Sequence, residues 1–170
     1  MEAAKTLLAV SARPAAEMIR RASNLEPPAA IDVGGYIETI AEEIIAALSM
    51  SGKVRLQADL PSRFVLPMEK AVPLGLIVAE LVTNSIRYAH PAGIAGVISI
   101  RSSRHSGAIV IDISDDGVGL PEDFDLLAAS NTGFAMMRGL AAQLAASISF
   151  DDHGLGLRCT LRLPYAEVAL

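Results

Sequence analysis

Between Ala71 and Thr83 the only charged residue is Glu80, set among Val, Leu, Ile, Ala, Pro and Gly. A carboxylate in such company is costly unless something compensates it. Asn84 follows at i+4, and Arg87 and Tyr88 at i+7 and i+8, so on a helix the four share roughly one stripe. Such a stripe suits the wall of a pocket. An Asn carbonyl and a Glu are hard oxygen groups fit for Mg²⁺ and its waters, and Arg87 offers a permanent charge to a phosphate. A solvated helix face closed by a Glu80–Arg87 contact is the competing reading.

Asp115 gives a second signal, at the end of a strand and ahead of Gly117, Val118, Gly119 and Leu120. Strand parity puts Ile109, Ile111, Ile113 and Asp115 on one face, so the carboxylate leaves the sheet on its apolar side and needs a donor. A purine's exocyclic amine and ring nitrogen would suit it, and two glycines let the backbone pass close to a flat ligand. An ordinary Asp-Gly turn fits the same residues. The third signal is Ser130-Asn131-Thr132-Gly133 opening a helix, where a polar cap leaves free amides that attract phosphate oxygens. A simple capped helix is its plain alternative. In chain order the three supply metal and phosphate groups, a base reader and an anion site, and their conjunction is far more specific than any one of them.

The elements that must hold these residues follow from periodicity. Residues 68–88 form a long helix if Pro73 begins or bends it. Residues 96–104 and 108–115 read as neighbouring strands joined by a hairpin at His105 to Gly107. Polar, glycine-bearing sequence spans 116–132, a helix covers about 133–145, and strands at 147–151 and 157–163 flank a turn at 152–156. Upstream, an amphipathic helix is expected over 35–48 and short strands over 53–58 and 64–66. Residues 1–22 favour helix, divided at Pro14, and Pro27 and Pro28 mark a linker over 24–30. Hairpin-linked strands segregated from helices argue for an α+β fold: a two-layer sandwich with a mixed, mostly antiparallel sheet covered on one face by helices.

Composition bounds the function. With 170 residues, 52% of them hydrophobic, the chain makes about one domain with a real core. Its net charge of −5, without a basic stretch carrying aromatics, argues against nucleic acid as the main partner. The apolar run from Val72 to Val82 is broken by Pro73, Gly75 and Glu80, so no membrane segment is expected. One cysteine, Cys159, forms no internal disulfide, and the first residues lack a leader pattern, so a cytoplasmic setting is expected.

ELVTNSIRYA at 80–89, DDGVGLP at 115–121, NTGFAMMRGLAAQL at 131–144 and LRCTLRLP at 157–164 together resemble the ATP-binding catalytic domain of bacterial sensor histidine kinases. That domain shares a superfamily, and the Bergerat type of ATP-binding fold, with gyrase, the MutL repair protein and the large heat-shock chaperone. The resemblance runs from about Ile31 to Pro164. PLGLIVAELVTNSIRYA is most similar to the HWE-type kinases and their relatives.

The resemblance implies a cofactor set of ATP and Mg²⁺ and a role for each matching residue. Glu80 would position or activate the attacking group, Asn84 would bind Mg²⁺, Arg87 would approach the phosphates and Tyr88 would border the nucleotide. Asp115 would receive the adenine amino group, Gly117 and Gly119 would form its turn, and Thr132 and Gly133 would begin the phosphate-facing helix. Residues 120–132 would be the ATP lid, carrying Glu122, Asp123 and Asp125 but no Lys or Arg. The implied activity is two-component signalling: transfer of the γ-phosphate to a histidine on a helical domain, upstream or in trans, and from there to a response-regulator aspartate. Residues 31–166 would form the catalytic domain and residues 1–25 the remnant of a dimerisation hairpin, able to support a homodimer.

Three departures qualify the pattern. Asn131 stands where many kinases have a glycine, and Leu157 where the family often has a Thr beside the adenine, removing one hydrogen bond. The only histidines are His90, His105 and His153, none in residues 1–30, and each reads as an exposed or capping residue rather than the phosphoacceptor. Cys159, Met136 and Met137 read as core filler, and Arg138 as an exposed helix charge. A free-standing serine kinase of the anti-sigma-factor type and a degenerate binding module of the same fold are the alternatives.

Overall fold

The computed structural model describes residues 30–48, 50–61, 64–89, 95–120, 132–152 and 156–165. The helix expected within residues 1–25, the 24–29 linker, His90, His153 and nearly all of the lid lie outside them.

Strand β1 (Ile31–Asp32) runs into helix α1 (Val33–Ala47). Asp32 is the N-cap, and its carboxylate accepts from the Gly35 amide at 3.0 Å, satisfying one of the helix's free donors. The expected amphipathic pattern holds. Tyr36, Ile37, Ile40, Ala41, Ile44 and Ile45 are buried, while Glu38 and Glu42 are exposed.

Strands β2 (Val54–Asp59) and β3 (Val65–Leu66) precede α2 (Met68–Asn84), which continues as a π-helical turn over Ser85–Ala89. Pro67 precedes the first turn of α2, whereas Pro73 lies buried inside the helix instead of starting it. Its ring removes one backbone hydrogen bond there, a cost of about 3 kcal/mol that burial of Leu74, Ile77, Val78, Leu81 and Val82 along the same helix offsets. Gly75 lets α1 approach closely, since a Cβ there would lie 2.8 Å from the Ile40 Cδ1 atom.

The remaining elements are β4 (Gly96–His105), β5 (Ala108–Asp115), α3 (Thr132–Gln143), β6 (Ser147–Asp152) and β7 (Leu157–Pro164). The main sheet has the order β2-β4-β5-β7-β6, with β2 parallel to β4 and every other pair antiparallel. The expected hairpin is a two-residue loop in which Ser106 and Gly107 have φ of 48° and 72°, the left-handed pair that a type I′ turn requires. The short strand expected at 64–66 is present as β3, outside the main sheet. It pairs antiparallel with β1, Ile31 opposite Leu66, as a separate ribbon.

Alternation decides which face is covered. Ile98 and Ile100 of β4, Ile109, Ile111 and Ile113 of β5, and Cys159, Leu161 and Leu163 of β7 are buried in one core with the helices. Their alternates include Arg101, Ser103 and Arg158, which are exposed, and Thr160, whose hydroxyl donates to Asp112 at 2.6 Å. The chain is therefore an α+β two-layer sandwich with a mostly antiparallel sheet.

Candidate functional site

The C-terminal part of α2 and its π turn face the C-terminal end of β5 across a cavity of about 840 Å³. Glu80, Asn84, Arg87 and Tyr88 all line it, so the stripe read from the spacing does face one hollow. The α-helix ends at Asn84, and the π turn carries Arg87 and Tyr88, both exposed, at the mouth. Just before that turn the buried Thr83 hydroxyl donates to the Ala79 carbonyl at 2.7 Å, a back-bond that perturbs helices locally.

Asp115 lines the opposite wall, where β5 ends beside Ile113. Three donors hold its carboxylate: the Gly117 amide on Oδ1 at 3.1 Å, the Leu157 amide on Oδ1 at 3.2 Å, and the Ser85 hydroxyl on Oδ2 at 2.9 Å. These contacts satisfy the acid that the sequence left in need of partners.

Gly119, with φ of 72°, lines the cavity as expected. Gly117 does not. It is buried, and a Cβ there would collide with the Ala89 carbonyl, so packing against the π turn by itself demands a glycine. The Val118 amide donates to that same carbonyl at 2.9 Å, tying the loop to α2.

Gly133, in the first turn of α3, lines the third side. A Cβ on it would collide with the Glu80 Oε1 atom. That same oxygen accepts from the Asn84 side-chain amide at 3.4 Å. Glu80 is thus met by Asn84 instead of Arg87, which corrects the competing reading of a solvated helix face. Thr132 begins α3, while Ser130 and Asn131 lie outside the described residues.

Sequence reasoning missed Ser85 and Phe134 and gave only part of what Leu157 and Cys159 do. Ser85 follows Asn84 directly, and its only signal was a small polar residue inside the motif. Leu157 was expected beside the adenine at the loss of one hydrogen bond; its side chain lines the cavity, and its backbone amide, which carried no signal, donates to Asp115. Phe134 lines the cavity and stacks edge-on against Phe150 at 5.2 Å between ring centroids. Cys159, read as filler, is buried yet forms part of the wall, and burial, followed by the Asp112 charge, pushes its thiol up to about 12. Of the two methionines Met137 is buried, whereas Met136 is 37% exposed and is not core filler. Arg138 is half-buried, and His105 is exposed in the hairpin.

The donor set fits Mg²⁺ better than a tightly caged ion. Among the described residues no group of three or more His, Cys, Asp and Glu could hold a metal, and Mg²⁺ needs only one or two protein oxygens when phosphates and water complete its shell. With the Asn84 nitrogen turned to Glu80, its carbonyl oxygen remains as the acceptor. No helix among the described residues is long and apolar enough to cross a membrane.

The profile of the family described as histidine kinase-, DNA gyrase B-, and HSP90-like ATPase matches residues 69–167. Blue-light-activated histidine kinase 2 of Erythrobacter litoralis is 32% identical over 139 residues, 81% of this chain but 39% of that protein. Sensor histidine kinase PdtaS of Mycobacterium tuberculosis is 34% identical over 103 residues, 59% of this chain and 21% of that protein. The chain therefore spans well under half the length of either relative. The solved histidine kinase domain of the Erythrobacter litoralis blue-light-activated kinase superposes with a TM-score of 0.78 at 28% identity, covering 93% of this chain and 74% of that one. The catalytic domain of histidine kinase ThkA, at 13% identity and a TM-score of 0.65, covers 82% of this chain and 96% of its own, and shares the fold.

Proposed function

Since the chain belongs to the family of histidine kinase-, DNA gyrase B- and HSP90-like ATPases, we propose that it is the ATP-binding catalytic part of a two-component sensor histidine kinase. Residues 31–166 form that unit. The acceptor histidine lies outside it, on a helical domain that is upstream or supplied in trans, and a response-regulator aspartate receives the phosphoryl group next. Residues 1–25 contribute to a homodimer, and the setting is the cytoplasm.

The observation that carries this reading is that Asp115 faces the Glu80, Asn84, Arg87 and Tyr88 stripe across one cavity. A fixed carboxylate at one end reads an exocyclic amine. Apolar groups around it, Ile113, Phe134 and Leu157, exclude water from the base. At the other end Arg87 meets phosphate charge, and the amides opening α3 at Thr132 and Gly133 point at phosphate oxygens. Glu80, half-buried against Gly133, orients the incoming imidazole by accepting its N–H proton. Asn84, with Glu80 beside it, would hold Mg²⁺, which when bound neutralises charge on the phosphates. The protein's share of catalysis is alignment of donor and acceptor.

The test is to mix the protein with a separate helical domain bearing an acceptor histidine and γ-labelled ATP. The reading predicts label on that domain that is lost in acid and retained in base. Acid-stable label, or no label while the acceptor is phosphorylated by another kinase, would contradict it.

A further inference from the structure

Ser85 has no part in the roles above, yet it lines the same cavity and its hydroxyl donates to Asp115 Oδ2 at 2.9 Å. The other carboxylate oxygen already accepts the amides of Gly117 and Leu157, at 3.1 and 3.2 Å. Contacts to one oxygen fix a point and leave the carboxylate plane free to swing about it. A donor on the second oxygen, from a different element, removes that freedom. Ser85 is well placed to do so, because the π turn that it begins is tied to the loop after Asp115 at its far end, where the Ala89 carbonyl accepts the Val118 amide. Its donated proton also leaves this end of the cavity rich in acceptors, with the remaining lone pairs of Oδ2 and of the serine oxygen.

Resting on the nucleotide reading given above, we infer that Ser85 is a positioning residue for base recognition: it aims Asp115 Oδ2 at the exocyclic amine of a 6-aminopurine. Phosphate and metal contacts are assigned to other side chains, Arg87 and Asn84, and to the amides opening α3. The consequence is selective. Loss of the hydroxyl weakens recognition of the 6-amino group more than it weakens binding of the rest of the nucleotide.

The experiment compares calorimetric affinities for ADP and for purine riboside diphosphate, which lacks only the 6-amino group. A charge-assisted hydrogen bond predicts that the wild-type protein prefers ADP by about tenfold or more. Ser85→Ala is expected to cut that ratio to about threefold or less, and Asp115→Asn to remove most of it. Adding Ser85→Ala to Asp115→Asn should then change the ratio little, as expected for two residues acting through one contact. A merely structural serine would weaken both ligands equally, so an unchanged ratio in Ser85→Ala overturns the inference. A wild-type ratio near one would instead overturn the assignment of Asp115 itself.

Discussion

Glu80 Oε1 occupies the space that a side chain on Gly133 would need, so the charged atom of α2 rests against the first turn of α3. Because Glu80 is the flexible partner, a methyl group at 133 pushes the carboxylate aside instead of breaking the fold. Gly133→Ala should therefore leave the unfolding temperature unchanged or raise it, Ala being favoured over Gly in helices by up to about 1 kcal/mol. The displaced Oε1 also leaves Asn84, so affinity for Mg²⁺-nucleotide should fall roughly tenfold. Thermal unfolding together with calorimetric titration checks both halves.

Gly117 makes the opposite case, because the atoms in its way belong to the backbone of Ala89 and cannot rotate clear. Gly117→Ala should cost about 2 kcal/mol or more, in the range of overpacking changes, and lower the unfolding midpoint by several degrees. The same variant pulls an amide donor from Asp115. Scanning calorimetry should find this substitution much more harmful than Gly139→Ala, where a Cβ meets nothing within 4 Å.

Asn84 is the residue assigned to Mg²⁺. In Asn84→Ala the nucleotide affinity measured with excess chelator should stay within about threefold of wild type, while the gain on adding Mg²⁺ disappears. Parallel titrations with and without Mg²⁺ separate the two, since a charge-neutralising ion held by few protein oxygens contributes only when present.

Burial lifts the Cys159 thiol from 9.0 to about 12. Its folded pKa lies above the unfolded one, so the folded state holds the proton longer. Stability is unaffected below about pH 9 and falls as the pH rises toward 12, because only the unfolded thiol ionises in that window. Urea unfolding of wild type should show an alkaline loss larger, by on the order of a few kcal/mol, than that of Cys159→Ala, which keeps only the loss from groups such as the Tyr36 phenol, also raised by burial. Native Cys159 should also resist iodoacetamide at pH 8 although it borders the cavity.

Much of this was legible in the sequence because it depends on local periodicity. The stripe from Glu80 to Tyr88 is a matter of helical spacing, the inward direction of Asp115 one of strand parity, and the β4–β5 hairpin one of a glycine that tolerates positive φ. What escaped is non-local or made by the backbone. The pairing of Ile31 with Leu66 joins two-residue strands far apart in sequence, with no pattern long enough to register. The Leu157 amide reaches Asp115 because Gly156, at φ 94°, lets β7 begin against the Asp115 carbonyl, and a leucine's side chain says nothing of that. Gly117 was singled out for a ligand, and its close approach to Ala89 had no signal in the spacing.

Base recognition by Asp115 is the claim on which the functional reading depends most. Asp115→Asn keeps the shape of the side chain and removes its charge, so the direct test is titration of wild type and Asp115→Asn with ADP. The account predicts measurable wild-type binding that weakens by about tenfold or more in the variant. Equal affinities in the two proteins, or no binding by the wild type, would contradict it.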